Sequence, residues 1–154
     1  MTISAGILLY RKKGKSIEFL LVHPGGPFFK NKDKGWWTIP KGEPEEDEKL
    51  QDTATRELKE ETGIEVHDNL IPLGQIKQKG GKTVHAWAAG GDWNPESGLP
   101  ADTFEMEWPP RSGKKQSFPE VDQARWFTPE APKEYINAAQ TELIERLINT
   151  LKGD

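Results

Sequence analysis

Residues 42–64 read GEPEEDEKLQDTATRELKEETGI. From Glu46 to Thr62 there is neither Gly nor Pro, helix formers dominate, and Leu50, Ala54 and Leu58 recur every four residues. Positions i and i+4 share a helix face, so this spacing lays down one apolar stripe. Gly63 follows the last turn, where a residue without a Cβ closes a helix at least steric cost. The expectation is a helix over 46–62 that buries the stripe and stops at Gly63.

To one side of the stripe, Glu57, Glu60 and Glu61 stand at i, i+3 and i+4, which brings their carboxylates out as neighbours. Three adjacent negative charges repel one another. Such a face is either screened by solvent, as most charge runs are, or used to hold a hard divalent cation such as Mg2+ or Mn2+. Spacing alone does not choose between the two. Glu48 and Arg56 lie eight residues apart, about two helical turns, and their opposite charges can tie the preceding loop to the helix. Gly42 lets the backbone approach an ion with no Cβ in the way.

Upstream, Thr2–Tyr10 and Ile17–His23 are aliphatic runs separated by a polar turn, the pattern of two strands. Pro24–Gly35 reads as an exposed Gly, Pro and Lys-rich loop, and Trp36–Ile39 as a short β-prone run stopped by Pro40. Downstream, Leu70–Lys77 and Lys82–Ala89 read as strands around Gly80-Gly81, and Gly90–Pro100 as a loop. Thr103–Trp108 reads as a further strand, Pro109–Pro119 as a basic loop and Ala124–Phe127 as a strand. Pro132–Leu151 places Ile136, Leu143, Ile144, Leu147, Ile148 and Leu151 on one helical face. Mixed strands with two separated helices predict an α/β sandwich.

The chain has 154 residues, the size of one domain, so a single domain over 1–154 is expected. Its 21 Lys and Arg against 25 Asp and Glu give a formal charge of −4, which argues against duplex nucleic acid as the main partner. No cysteine is present, so thiol catalysis, disulfides and Cys-ligated zinc are excluded, and a reducing cytoplasmic setting fits. No apolar run approaches the roughly 18–20 residues that cross a bilayer.

The pattern Gly42-x5-Glu48-x7-Arg56-Glu57-Leu58-x-Glu60-Glu61-x-Gly63-Ile64 resembles a complete Nudix box over 23 residues. The resemblance implies a Nudix fold, an α/β/α sandwich around a central mixed β-sheet. It implies metal-dependent hydrolysis of a phosphoanhydride in nucleoside diphosphate derivatives by water attack. Glu57 and Glu61 are then the first choices as Mg2+ or Mn2+ ligands, with Glu60 close behind and Gly42 beside the ion. Arg56 takes its place in the catalytic helix, and Glu48 and Gly63 are structural. A general base must accept the proton of the attacking water. Glu120, which follows the basic loop, is the candidate, and Asp122 competes with it.

The entry Gly35-Trp36-Trp37-Thr38-Ile39-Pro40-Lys41-Gly42 resembles that of Nudix enzymes acting on dinucleoside polyphosphates, such as diadenosine tetraphosphate. Lys41 adds positive charge toward an extended polyphosphate. Trp36 or Trp37 is placed to stack on a base, and adjacent strand residues face opposite ways, so one of the two is expected in the core. Lys82, Arg111, Lys114 and Lys115 are further candidates to meet the phosphate chain, although solvated loops account for such charges as well. Nucleoside triphosphates, ordinary or oxidised, nucleotide sugars or capped RNA are the alternative substrates, and a non-catalytic nucleotide-sensing module is the alternative class.

Overall fold

The computed structural model describes residues 2–14, 16–66, 69–78, 80–94, 98–100, 103–128 and 135–152. A six-stranded mixed sheet forms its centre. Its strands are β1 (Ile3–Lys13), β2 (Ser16–Pro24), β3 (Lys41–Gly42), β4 (Ile71–Gln78), β5 (Lys82–Gly90) and β8 (Val121–Phe127). The order is β4-β5-β1-β2-β8, with β3 also on β1. Strands β1 and β5 run parallel, and the other pairs are antiparallel. A separate hairpin joins β6 (Thr103–Glu107) to β7 (Lys115–Pro119).

The run Ala5–Leu9 is apolar nearly throughout because β1 is covered on both faces. Ile7 and Leu9 pack under helix α1 (Leu50–Thr62) with Ala54 and Leu58. Leu8 points the other way, to Leu143, Ile144 and Leu147 of helix α2 (Thr141–Lys152). The α/β/α sandwich is therefore present, and both expected apolar helix faces are buried on the sheet. A methyl group at Gly6 would lie 2.4 Å from the Pro40 carbonyl oxygen. Only glycine there lets Pro40–Gly42 lie directly against β1, where Lys41 pairs with Gly6 and Gly42 with Ala5.

Several boundaries depart from expectation. Helix α1 begins at Leu50, four residues late, because Glu45–Glu48 forms a turn with Asp47 at a φ of 62°. The Pro109–Pro119 segment is not all loop, since Lys115–Pro119 pairs in register with Thr103–Glu107 and places Phe118 opposite Phe104. Trp36–Ile39 forms no strand of its own, but two single bridges, Val22 with Thr38 and Trp37 with Ile136. The last helix is shorter than expected. Residues 132–134 lie outside the described residues, Ile136 is in a bridge, and Asn137 caps a 3-10 turn at Ala138–Gln140 by accepting from the Ala139 N–H at 3.0 Å.

Candidate active site

The loop before α1 is held by one carboxylate. Glu48 accepts from the Glu45 N–H at 3.0 Å and from the Thr53 hydroxyl at 2.7 Å. Arg56 grips it in bidentate fashion, Nε to Oε2 at 2.8 Å and Nη2 to Oε1 at 2.9 Å. These bonds, the Arg56 one foremost, hold the Glu48 carboxyl down at about 2. The eight-residue spacing is thus a loop-to-helix tie. Arg56 does more, because its Nη1 donates to Glu57 Oε1 at 3.0 Å and to Glu60 Oε1 at 3.1 Å. One guanidinium therefore orders three carboxylates.

Glu57 and Glu61 stand in a drier place. A Cβ on Gly42 would fall 2.1 Å from the Glu57 carboxyl carbon, so this carboxyl rests on bare glycine backbone. Glu61 accepts from the Lys41 N–H, while its Oε2 is buried with no partner. Burial first, then the charge of Glu57, pushes the Glu61 carboxyl up to about 9. Burial and the charge of Glu60 raise Glu57. Glu120 adds its charge to both and shares a narrow cleft with Glu60 and Glu61. Burial lowers Lys41 although Glu61 and Glu57 favour its charge.

Among the described residues no group of three Asp, Glu, His or Cys side chains forms a ready metal cage. Arg56 draws Glu57 and Glu60 to itself instead. The donor set nonetheless fits a hard divalent cation: carboxylate oxygens, one of them buried and orphaned, beside backbone that glycine keeps open.

Beyond Lys41 a cavity of about 470 Å³ is lined by Lys82, Trp36, Phe29, Thr38, Gln78 and Asn137, among others. Trp36 is 40% exposed and tilts against Phe29 at 5.5 Å. Trp37 is only 2% exposed; its ring packs against Phe127 and His23, and its indole N–H donates to Asp33. As a base-stacking candidate Trp37 is therefore corrected to a core residue. Arg111, Lys114 and Lys115 sit at the far end of the β6–β7 hairpin and line no part of this cavity. Of the candidate cations, Lys41 and Lys82 are the ones that line this cavity.

The structure also separates Glu120 from Asp122. Glu120 joins the acidic cluster, while Asp122 Oδ1 bonds His23 Nδ1 at 2.8 Å and the other ring nitrogen meets the Lys32 carbonyl at 2.5 Å. Phe29, Gln78 and Asn137 were not legible as site residues, since nothing in their local pattern sets them apart. Gly63 has a φ of 81° and its N–H donates to the Lys59 carbonyl, which closes α1 as expected.

A family model described as NUDIX domain matches residues 1–147. Among solved structures, a Caenorhabditis elegans Ap4A hydrolase binary complex is 25% identical over 98% of this chain and 99% of that one, with a TM-score of 0.67. The NUDIX domain of Shewanella oneidensis NrtR complexed with ADP ribose is 19% identical over 98% and 88%, with a TM-score of 0.67. A mutT/nudix family protein from Listeria innocua is 20% identical over 99% and 94%, with a TM-score of 0.65.

Proposed function

We propose, since this chain belongs to the NUDIX family, that it is a divalent-cation-dependent pyrophosphohydrolase whose substrates are dinucleoside polyphosphates. The observation that carries the reading is the buried, partly orphaned Glu61 carboxyl beside Glu57 and Gly42, at the edge of a cavity that offers two lysines and an exposed tryptophan. The likeness to the nematode Ap4A hydrolase over nearly the whole of both chains supports the substrate class.

Glu57, Glu61, Glu60 and the backbone of Gly42 are the groups that would hold the ion. When bound, Mg2+ or Mn2+ would neutralise phosphate oxygens and acidify water. Arg56 fixes the pitch of Glu57 and Glu60 and is itself anchored by Glu48. Lys41 and Lys82 set their positive charges along the phosphate chain, and Trp36 stacks on a base. Glu120 accepts the proton as water oxygen bonds to phosphorus and the bridging P–O bond breaks, the charge leaving on the departing phosphate.

The test is a hydrolysis screen with product identification, run with and without Mg2+ or Mn2+. Diadenosine tetraphosphate is expected to be cleaved to nucleotides only with cation. Cleavage of nucleoside triphosphates alone overturns the substrate class, and turnover in the presence of excess chelator overturns the chemistry.

A further inference from the structure

The loop Pro24–Gly35 has a second concave face. Apart from the cavity that holds Trp36 and Lys41, a pocket of about 460 Å³ is walled by Pro27, Lys30, Trp108, Gln116, Phe118 and Asp122, a volume within the usual range of small-ligand sites. Its walls are fixed from two sides. Phe28 meets Trp108 edge-on at 5.4 Å, and the Trp108 N–H donates to the Lys114 carbonyl at 2.9 Å. A methyl group at Gly25 would fall 1.9 Å from the Pro119 carbonyl oxygen, and one at Gly26 would fall 2.9 Å from the Phe104 ring. Two adjacent glycines thus let the loop seat directly on the β6–β7 hairpin. The His23 ring pins the other end of the loop, bonding Asp122 on one side and the Lys32 carbonyl on the other.

The side chains of this pocket are two aromatic rings, Trp108 and Phe118, with Gln116, Asp122 and the cationic Lys30 as the polar groups. Gln116 donates one Nε2 hydrogen to the Trp108 carbonyl at 2.9 Å, which holds its amide in the wall and leaves a second N–H donor and the Oε1 acceptor. Asp122 commits Oδ1 to His23, so Oδ2 is the second acceptor. Two ring faces, Trp108 and Phe118, with two acceptors suit a flat heterocycle that carries N–H or ribose O–H donors. That is a nucleoside. The pocket also adjoins the proposed reaction centre, because Asp122 lies two residues from Glu120 and the Glu120 carbonyl accepts from the Gly25 N–H at 3.0 Å.

We propose that this pocket is a second nucleoside subsite, so that the Pro24–Gly35 loop parts the two bases of one substrate, one at Trp36 and the other at Trp108. The inference rests on the dinucleoside polyphosphate reading and goes beyond it. The expected profile is steady-state hydrolysis in which diadenosine tetraphosphate has a lower KM than adenosine 5′-tetraphosphate, a compound with the same phosphate chain and one nucleoside. Trp108→Ala is expected to raise the dinucleotide KM about tenfold, the size of one lost base stack, while the mononucleoside KM stays unchanged. Gln116→Ala, at an exposed position, is expected to move the same KM in the same direction by less, and serves if Trp108→Ala does not fold. An equal effect of these variants on both substrates, or none on either, overturns the subsite.

A second measurement is independent of turnover. In cation-free titration of the whole protein with adenosine, the indole N–H resonances of both Trp36 and Trp108, assigned from the two Ala variants, are expected to shift. If only Trp36 responds, the second subsite is wrong and the substrate class stands. If both respond but no dinucleotide is cleaved, the substrate class is wrong and the pocket stands.

Discussion

Two regions of this molecule are built on opposite plans. The acidic centre on α1 is assembled almost wholly from residues within 23 positions of each other, with Arg56 bonding Glu48, Glu57 and Glu60. The face formed by the Pro24–Gly35 loop and the β6–β7 hairpin is drawn from distant segments, and its ties span the chain: His23 and Asp122 are 99 residues apart. The first region holds its geometry through helix pitch and one guanidinium. The second depends on glycines that let backbones touch and on rings that meet edge to face. A short-range site is set by helix pitch, whereas a face drawn from distant segments depends on each tertiary contact that joins them.

The sharpest way to break this comparison is at Glu61. Glu61→Gln is expected to lower kcat more than about 100-fold, beyond the 10–100-fold that loss of an outer partner to a metal ligand costs. The cation-free protein is expected to keep its thermal stability, because burial pushes the Glu61 carboxyl up to about 9, so it already carries its proton near neutral pH and the substitution removes no charge. Thermal unfolding with and without Mn2+ checks this: the wild type gains stability from the cation and the variant does not. Gly42→Ala comes next. Its new methyl group would displace the Glu57 carboxyl, with a loss of up to about 100-fold in kcat and little change in the circular dichroism of the fold.

Trp36 and Trp37 set the two plans side by side. Trp37→Ala empties a 2%-exposed core position and is expected to cost about 3–5 kcal/mol in urea unfolding. Trp36→Ala is expected to leave the urea midpoint near that of the wild type and raise KM for the substrate about tenfold. If the two variants behaved alike, the division between core and cavity would be wrong.

The smallest effect concerns Glu48. Its carboxyl lies at about 2 in the fold against an ordinary 4.5, so it binds a proton less tightly folded than unfolded. Its contribution to stability is therefore complete above pH about 4.5 and is lost as pH falls through about 2. Urea midpoints between pH 5 and 2.5 are expected to fall less steeply in Glu48→Gln than in the wild type. An unchanged slope would remove the tie from the account of stability.

The elements that read clearly from sequence are those with an unbroken period. Helix α1 shows its stripe at Leu50, Ala54 and Leu58, and α2 shows Leu143, Ile144 and Leu147, because each buries a single face. Strand β7 did not, since its burial is slight and its partner β6 lies across a turn that holds Pro109, Pro110 and Gly113. The start of α1 was misplaced because Glu46–Lys49 has helical composition, yet Glu48 is engaged by Thr53 and Arg56.

What the amino-acid order alone determined is the acidic helix, because helix pitch converts sequence spacing directly into neighbouring carboxylates, and, through the likeness of Gly42–Ile64 to the Nudix pattern, the family and its sandwich. Tertiary structure decided which tryptophan faces the cavity, that Glu120 rather than Asp122 joins the cluster, and that Lys41 and Lys82 share one wall while Arg111, Lys114 and Lys115 do not. Those choices are made by contacts between residues far apart along the chain, as where the Gln140 side chain accepts from the Ile39 N–H across 101 positions. No local period records such a meeting.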